Sequence, residues 1–201
     1  MLNYIKEYVN DNFKTIMFFL TCIIIGLVVG IVVYQFILED TKIELVKTLN
    51  QTLEYTKQED FQGINVIKNG MISNIILIVI IYFGAITLIA PGIVSIINVF
   101  KGFAIGLYIP TLFQVFGFGN GVLALVLLVI IPNIIYIPTF IYLSINSLKF
   151  HYNILGKNKE NKISLIFKEG CKMVMGFSVV ALSVILEQFL CVWVIKIYIN
   201  M

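Results

Sequence analysis

From Met71 to Phe150 the chain carries no charged side chain except Lys101 and Lys149. A helix needs about 20 mostly apolar residues to cross the ~30 Å hydrocarbon layer of a bilayer, and this stretch holds several such lengths in succession. The composition agrees, with 60% hydrophobic residues, 12% charged residues and a mean hydropathy of +0.99. Lipid is therefore the expected solvent for most of the molecule. The expected fold is all-α: one polytopic membrane domain over 1–201, with helices kinked at prolines.

Five apolar runs read as spans, at about 16–38, 72–99, 102–116, 121–148 and 173–195. They leave an outer segment at 39–71 and a basic connector at 149–172. The first run is longer than the apolar core of a signal peptide and ends Tyr34-Gln35-Phe36-Ile37-Leu38, without a small-x-small cleavage site, so it reads as a retained anchor. The third run is short, covering only about 22 Å at 1.5 Å per residue. Either it crosses as a thin or tilted hairpin turning around Phe116 to Gly121, or 102–131 dips in and returns on the same side.

Orientation follows from lysine, because cytoplasmic loops carry the excess of positive charge. With the N-terminus inside, nine lysines fall on the cytoplasmic side and five outside. The connector 149–172 nets +4, whereas 39–70 nets −2. The expected topology is N-in and C-out. In the N-terminal tail, Ile5, Tyr8, Val9 and Phe13 share one helical face, which predicts a short amphipathic helix on the inner membrane surface. Outside, Ile43, Val46, Leu49 and Leu53 form a similar stripe, suited to packing on the bundle or to docking a partner.

All fourteen basic residues are lysine. Without arginine's planar fork, bidentate phosphate recognition is disfavoured, and a net charge of +3 that topology explains implies no nucleic-acid partner. Cys22, Cys171 and Cys191 have no metal-like spacing, and Cys22 and Cys191 are expected at different depths, so no structural disulfide is expected. His151, the single histidine, reads as a solvated residue at headgroup level. The chain has no HExxH, no phosphate-binding Gly-rich loop, no GxSxG and no spaced pair of intramembrane acids. No catalytic residue, cofactor or metal is assigned.

Glu187 stands out, near the middle of the last apolar run. A lone charge there costs at least ~2.5 kcal/mol, so a partner is required or the group stays protonated. Lys196 lies roughly 13 Å further along the axis, too far to pair. Asn74, Thr87, Thr111, Gln114, Asn133 and Asn146 are polar candidates on other helices; a partner protein's contact or an ion or proton path are further readings. Pro91, Pro110, Pro132 and Pro138 all interrupt apolar runs, where freed carbonyls must be covered by neighbours. Gly26-x-x-x-Gly30 and Gly102-x-x-x-Gly106 are spaced for close helix approach.

Phe100-Lys101-Gly102-Phe103-Ala104-Ile105-Gly106, the Gly117-Phe118-Gly119 turn and Ile131-Pro132-Asn133-Ile134-Ile135-Tyr136-Ile137-Pro138 together resemble the stage II sporulation protein M family. The resemblance extends over essentially the whole chain; Asn133 departs from the histidine of some distant relatives, and no chemistry is carried over there. It implies a non-enzymatic membrane scaffold of endospore formation. Such a protein sits in the cell membrane on the mother-cell side of the septum and acts in forespore engulfment with sporulation proteins D and P, which degrade peptidoglycan. A homo-oligomer is compatible with this reading. The competing class is a small permease or a transporter-associated subunit, for which the kinked helices and Glu187 are the evidence.

Overall fold

The computed structural model describes residues 2–57, 63–87, 89–155 and 162–199. The centre of the basic connector, 156–161, and the side chains of Ile5, Leu53, Lys57, Lys68, Cys191 and Lys196 lie outside the described residues. Every regular element among the described residues is helical: α1 (Leu2–Phe36), α2 (Glu39–Lys57), α3 (Gly63–Gly84), α4 (Ala90–Ala124), a π-helical turn (Leu125–Ile130), α5 (Ile131–Leu155) and α6 (Lys162–Ile199). Three stretches among them are long and apolar enough to cross a membrane: Lys6–Phe36, the folded Ala90–Ile154, and Ile166–Glu187. Asn74–Gly84 is apolar but shorter.

The amphipathic tail is not a separate helix. It continues without a break into α1, because no proline or glycine interrupts residues 2–25. Of its apolar face, Tyr8 packs on α5, its ring 5.4 Å from the Tyr142 ring with the Lys149 ammonium 5.1 Å above it, while Val9 and Phe13 stay exposed. At the opposite end, α2 begins with Glu39 and Asp40, acids that suit the positive end of a helix dipole. Leu49 drops from α2 into a cluster with Leu112, Phe116 and Leu128, while Ile43 remains 61% exposed. The outer stripe is thus divided between bundle packing and free surface.

The run expected as one span over 72–99 belongs to two helices. α3 ends at Gly84, the chain turns, and α4 starts at Ala90 with Pro91 in its first turn, where a missing N–H costs nothing. The first arm of α4, residues 90–116, is about 40 Å long at 1.5 Å per residue, so the short third run is the second half of a full-length helix. Lys101 stands in the middle of that arm and not in a cytoplasmic loop.

Gly117 ends the arm with φ 71° and ψ 179°, a backbone region open essentially to glycine alone. The chain reverses there. Residues 118–124, the π turn and α5 run back antiparallel, so that Asn98 meets Ser144, and Ile105 meets Leu128 and Val129. Pro132 accounts for the π turn locally: it has no N–H to give the Leu128 carbonyl, and the Ile131 N–H bonds instead to Val126 O, one residue further back than in an α-helix. α5 then continues to Leu155 and α6 begins at Lys162. Most of the expected connector 149–172 is therefore helical, with Glu169 and Lys172 in the opening turns of α6.

Candidate functional site

The two small-residue motifs meet face to face. α1 and the first arm of α4 share the most extensive interface among the described helices and run in the same direction. A methyl group on Gly26 would overlap the Val99 carbonyl oxygen, and one on Gly102 would overlap the Ile23 carbonyl oxygen. One turn on, a Cβ at Gly30 would lie 2.9 Å from the Gly106 Cα, and one at Gly106 would strike the Leu27 carbonyl oxygen. The four glycines let two backbones touch where any side chain would hold them apart. Towards the far end of this interface, the Tyr34 hydroxyl donates to Gln114 Oε1.

On another face of α4 the bundle forms a half-open cavity of about 240 Å³ with polar groups in its wall. Asn74 of α3, Lys101 of α4, Asn133 and Tyr136 of α5, and Ser183 and Glu187 of α6 line it. Four helices therefore contribute polar groups to one layer. Lys101 Nζ lies 3.9 Å from the centre of the Tyr136 ring, a cation–π contact, and donates to Asn74 Oδ1 at 3.5 Å. Glu187 lines the same cavity from α6. It forms no ion pair with Lys101: the ion pairs among the described residues are Lys42–Glu39 and Lys172–Glu169. Tyr136 is only 3% exposed, and its hydroxyl has no hydrogen-bond partner.

The sequence hides the lysine that shares this cavity with Glu187, because a lysine between two apolar runs reads as a loop residue. Of the six polar candidates, Asn74 and Asn133 share the cavity with Glu187. Gln114 is taken by Tyr34, Asn146 Oδ1 accepts from Lys172 at 3.3 Å, Thr111 bonds back to Leu107 O, and Thr87 bonds to Gly84 O. Pro132 at the cavity wall and the π turn before it shape this layer, and Asn133 Nδ2 donates to Val129 O at 2.8 Å.

A second polar cluster lies about one to four turns nearer the α3–α4 turn. Asn98 Nδ2 donates to Ser144 Oγ at 3.0 Å, and Ser147 Oγ donates to Ile81 O at 3.0 Å. His151 is 4% exposed and not solvated: its Nδ1 bonds to Ala85 O at 3.1 Å. A carbonyl only accepts, so Nδ1 carries the proton. Ser147 and His151, one helical turn apart on α5, serve the carbonyls at the end of α3. Glu169, a connector residue by sequence, is 4% exposed and pairs with Lys172 at 3.0 Å. Cys22 and Cys171 are free thiols. No group of three His, Cys, Asp or Glu side chains among the described residues is placed to hold a metal ion.

The arrangement has the chemistry of a polar joint between helices: one amine, one carboxyl, amides and hydroxyls, flanked by apolar side chains. Over residues 15–190 the chain matches the family model described as Stage II sporulation protein M, a range that includes all four seam glycines and every residue lining the cavity. No curated protein and no solved structure matches it significantly.

Proposed function

Because the chain belongs to the Stage II sporulation protein M family, we propose that it is a multi-pass, non-hydrolytic scaffold of the cell membrane in forespore engulfment. In this reading it positions sporulation proteins D and P at the septum from the mother-cell side. The carrying observation is the family match across nearly the entire chain. The geometry is compatible with it: a tight apolar bundle with lipid-facing helix surfaces, and no arrangement of groups suited to activating water or a nucleophile among the described residues.

We read five crossings, N-in and C-out, as α1, α3, the first arm of α4, the second arm with α5, and α6. Several placements support this. The α3–α4 turn lies beside His151 near the end of α5, and α2 packs beside Phe116 at the other end. With Lys101 inside the bundle, eight lysines remain on the inner side against five outside. In a background lacking native cysteines, an impermeant thiol reagent should label Lys57→Cys but not Lys159→Cys in intact cells; the reverse pattern excludes this orientation.

Deleting the gene in the sporulating host tests the function. Membrane migration around the forespore should stop, and the purified protein should leave peptidoglycan intact. Lys101 and Glu187 at mid-helix favour a second reading, a small permease or transporter-associated subunit. Normal engulfment together with a defined solute defect would select it.

A further inference from the structure

The cavity between α3, α4, α5 and α6 leaves hydrogen-bonding capacity unused. The Tyr136 hydroxyl is buried and unpartnered, Lys101 has three N–H donors and, beside its contact with the Tyr136 ring, a single hydrogen bond, at 3.5 Å, to Asn74, and Glu187 has no direct ion pair among the described residues. Buried polar groups in proteins nearly always have partners, and an ordered internal water supplies them where a polar space exceeds one water's share of about 30 Å³. At about 240 Å³ the cavity has room for several waters. A free ion fits less well: Lys101 and Glu187 already balance each other, and one further charge would stand uncompensated among apolar helices.

We propose that this cavity is a hydrated site inside the membrane bundle, in which water molecules bridge the Lys101 ammonium to the Glu187 carboxylate and bond to the Tyr136 hydroxyl. The ligand is water, and the ion pair is solvent-separated. Its role is positional. Lys101 belongs to the helix that carries the glycine seam and Glu187 to the last helix, so the bridge ties α1 and α4 to α6 without requiring their backbones to touch. Water here also explains how α5 tolerates Pro132 and a π turn at the cavity wall, since freed backbone groups facing a wet space are not stranded.

The inference rests on the reading that these helices cross the bilayer, and its test separates the two. Ser183→Cys places a thiol at the cavity wall with almost no change in volume. Leu182→Cys, one residue away at a position 62% exposed on the outside of the bundle, places one against lipid. Both are made in a background lacking the native cysteines and treated, in membranes, with a small charged methanethiosulfonate reagent, which reacts only where water reaches. Labelling at 183 and not at 182 is the expected result. It should disappear when Lys101→Met and Glu187→Met are added together, because the cavity then loses both charges, and the methionines fill the space that the bridging waters occupied. Labelling of both positions overturns the membrane placement. Labelling of neither before denaturation, with both labelled after it, overturns the hydrated site, as does labelling at 183 that persists in the apolar double variant.

Discussion

The two faces of α4 show two ways of joining apolar helices of the kind that cross membranes. On one face Gly102 and Gly106 meet Gly26 and Gly30, and at these four residues the join is backbone against backbone, the Tyr34–Gln114 hydrogen bond lying towards its far end. On the other, Lys101 reaches α3 and α5 and faces Glu187 of α6 across a space of about 240 Å³. Apolar side chains gain little by leaving lipid for a protein interior, so helix association depends on close packing or on polar partners. The seam uses the first and tolerates no added atom. The cavity uses the second and tolerates a gap. Substitutions should therefore act oppositely: at the seam any added bulk is harmful, and at the cavity the balance of charge matters more than volume.

The largest effect is expected at the seam. Gly102→Leu drives a side chain into the Ile23 carbonyl and separates α1 from α4, an overpacking of backbone that should cost about 3 kcal/mol or more. The purified variant should lose its monodisperse peak in detergent, whereas Ile96→Ala, at a position 69% exposed on the same helix, should keep it. If Gly102→Leu unfolds no earlier than Ile96→Ala, the seam is not a close contact. Gly117→Ala should come next. Its φ of 71° and ψ of 179° strain any side chain by about 1–3 kcal/mol. The midpoint of thermal unfolding in detergent should fall, although the residue has open space around it. The smallest of these effects belongs to the rim of the polar face. His151→Leu leaves the Ala85 carbonyl unpaired at a cost of about 1–2 kcal/mol, and hydrogen exchange should quicken around the α3–α4 turn before it changes in α1.

The same contrast explains what the sequence reveals and what it conceals. The seam glycines are legible because their spacing states a geometry, and the two motifs need only to be set against each other. Glu187 is legible because a carboxylate in an apolar run is conspicuous. Lys101 is not, because a lysine between apolar runs reads as a marker of the membrane edge. The helix boundary lies earlier, between Gly84 and Ala90, where Thr87 is the one polar side chain and Pro91 follows. This turn is enclosed at its two ends, where Ala85 and Ala90 are fully buried, while Ile86 and Ile89 between them are exposed apolar side chains. The carbonyls of Ile81 and Ala85 are met by Ser147 and His151 of α5, so the polar residues that would signal a turn are stored 66 positions away in the chain. His151 reads as a surface residue for the same reason. The hairpin at Gly117 is legible in place, since a run of glycines marks a reversal, but the residue that makes it is fixed only by its positive φ.

The most direct test of the account is the energetic coupling between Lys101 and Glu187. Thermal unfolding in detergent should be measured for Lys101→Met, for Glu187→Met and for the two combined, with the native chain as reference. Each single change strands one charge among apolar helices and should destabilise the bundle, by about 1–2 kcal/mol on the scale of polar contacts between membrane helices. The double variant strands neither and should unfold later than either single variant. A double variant whose loss equals the sum of the two single losses would contradict the pairing of these residues across the cavity.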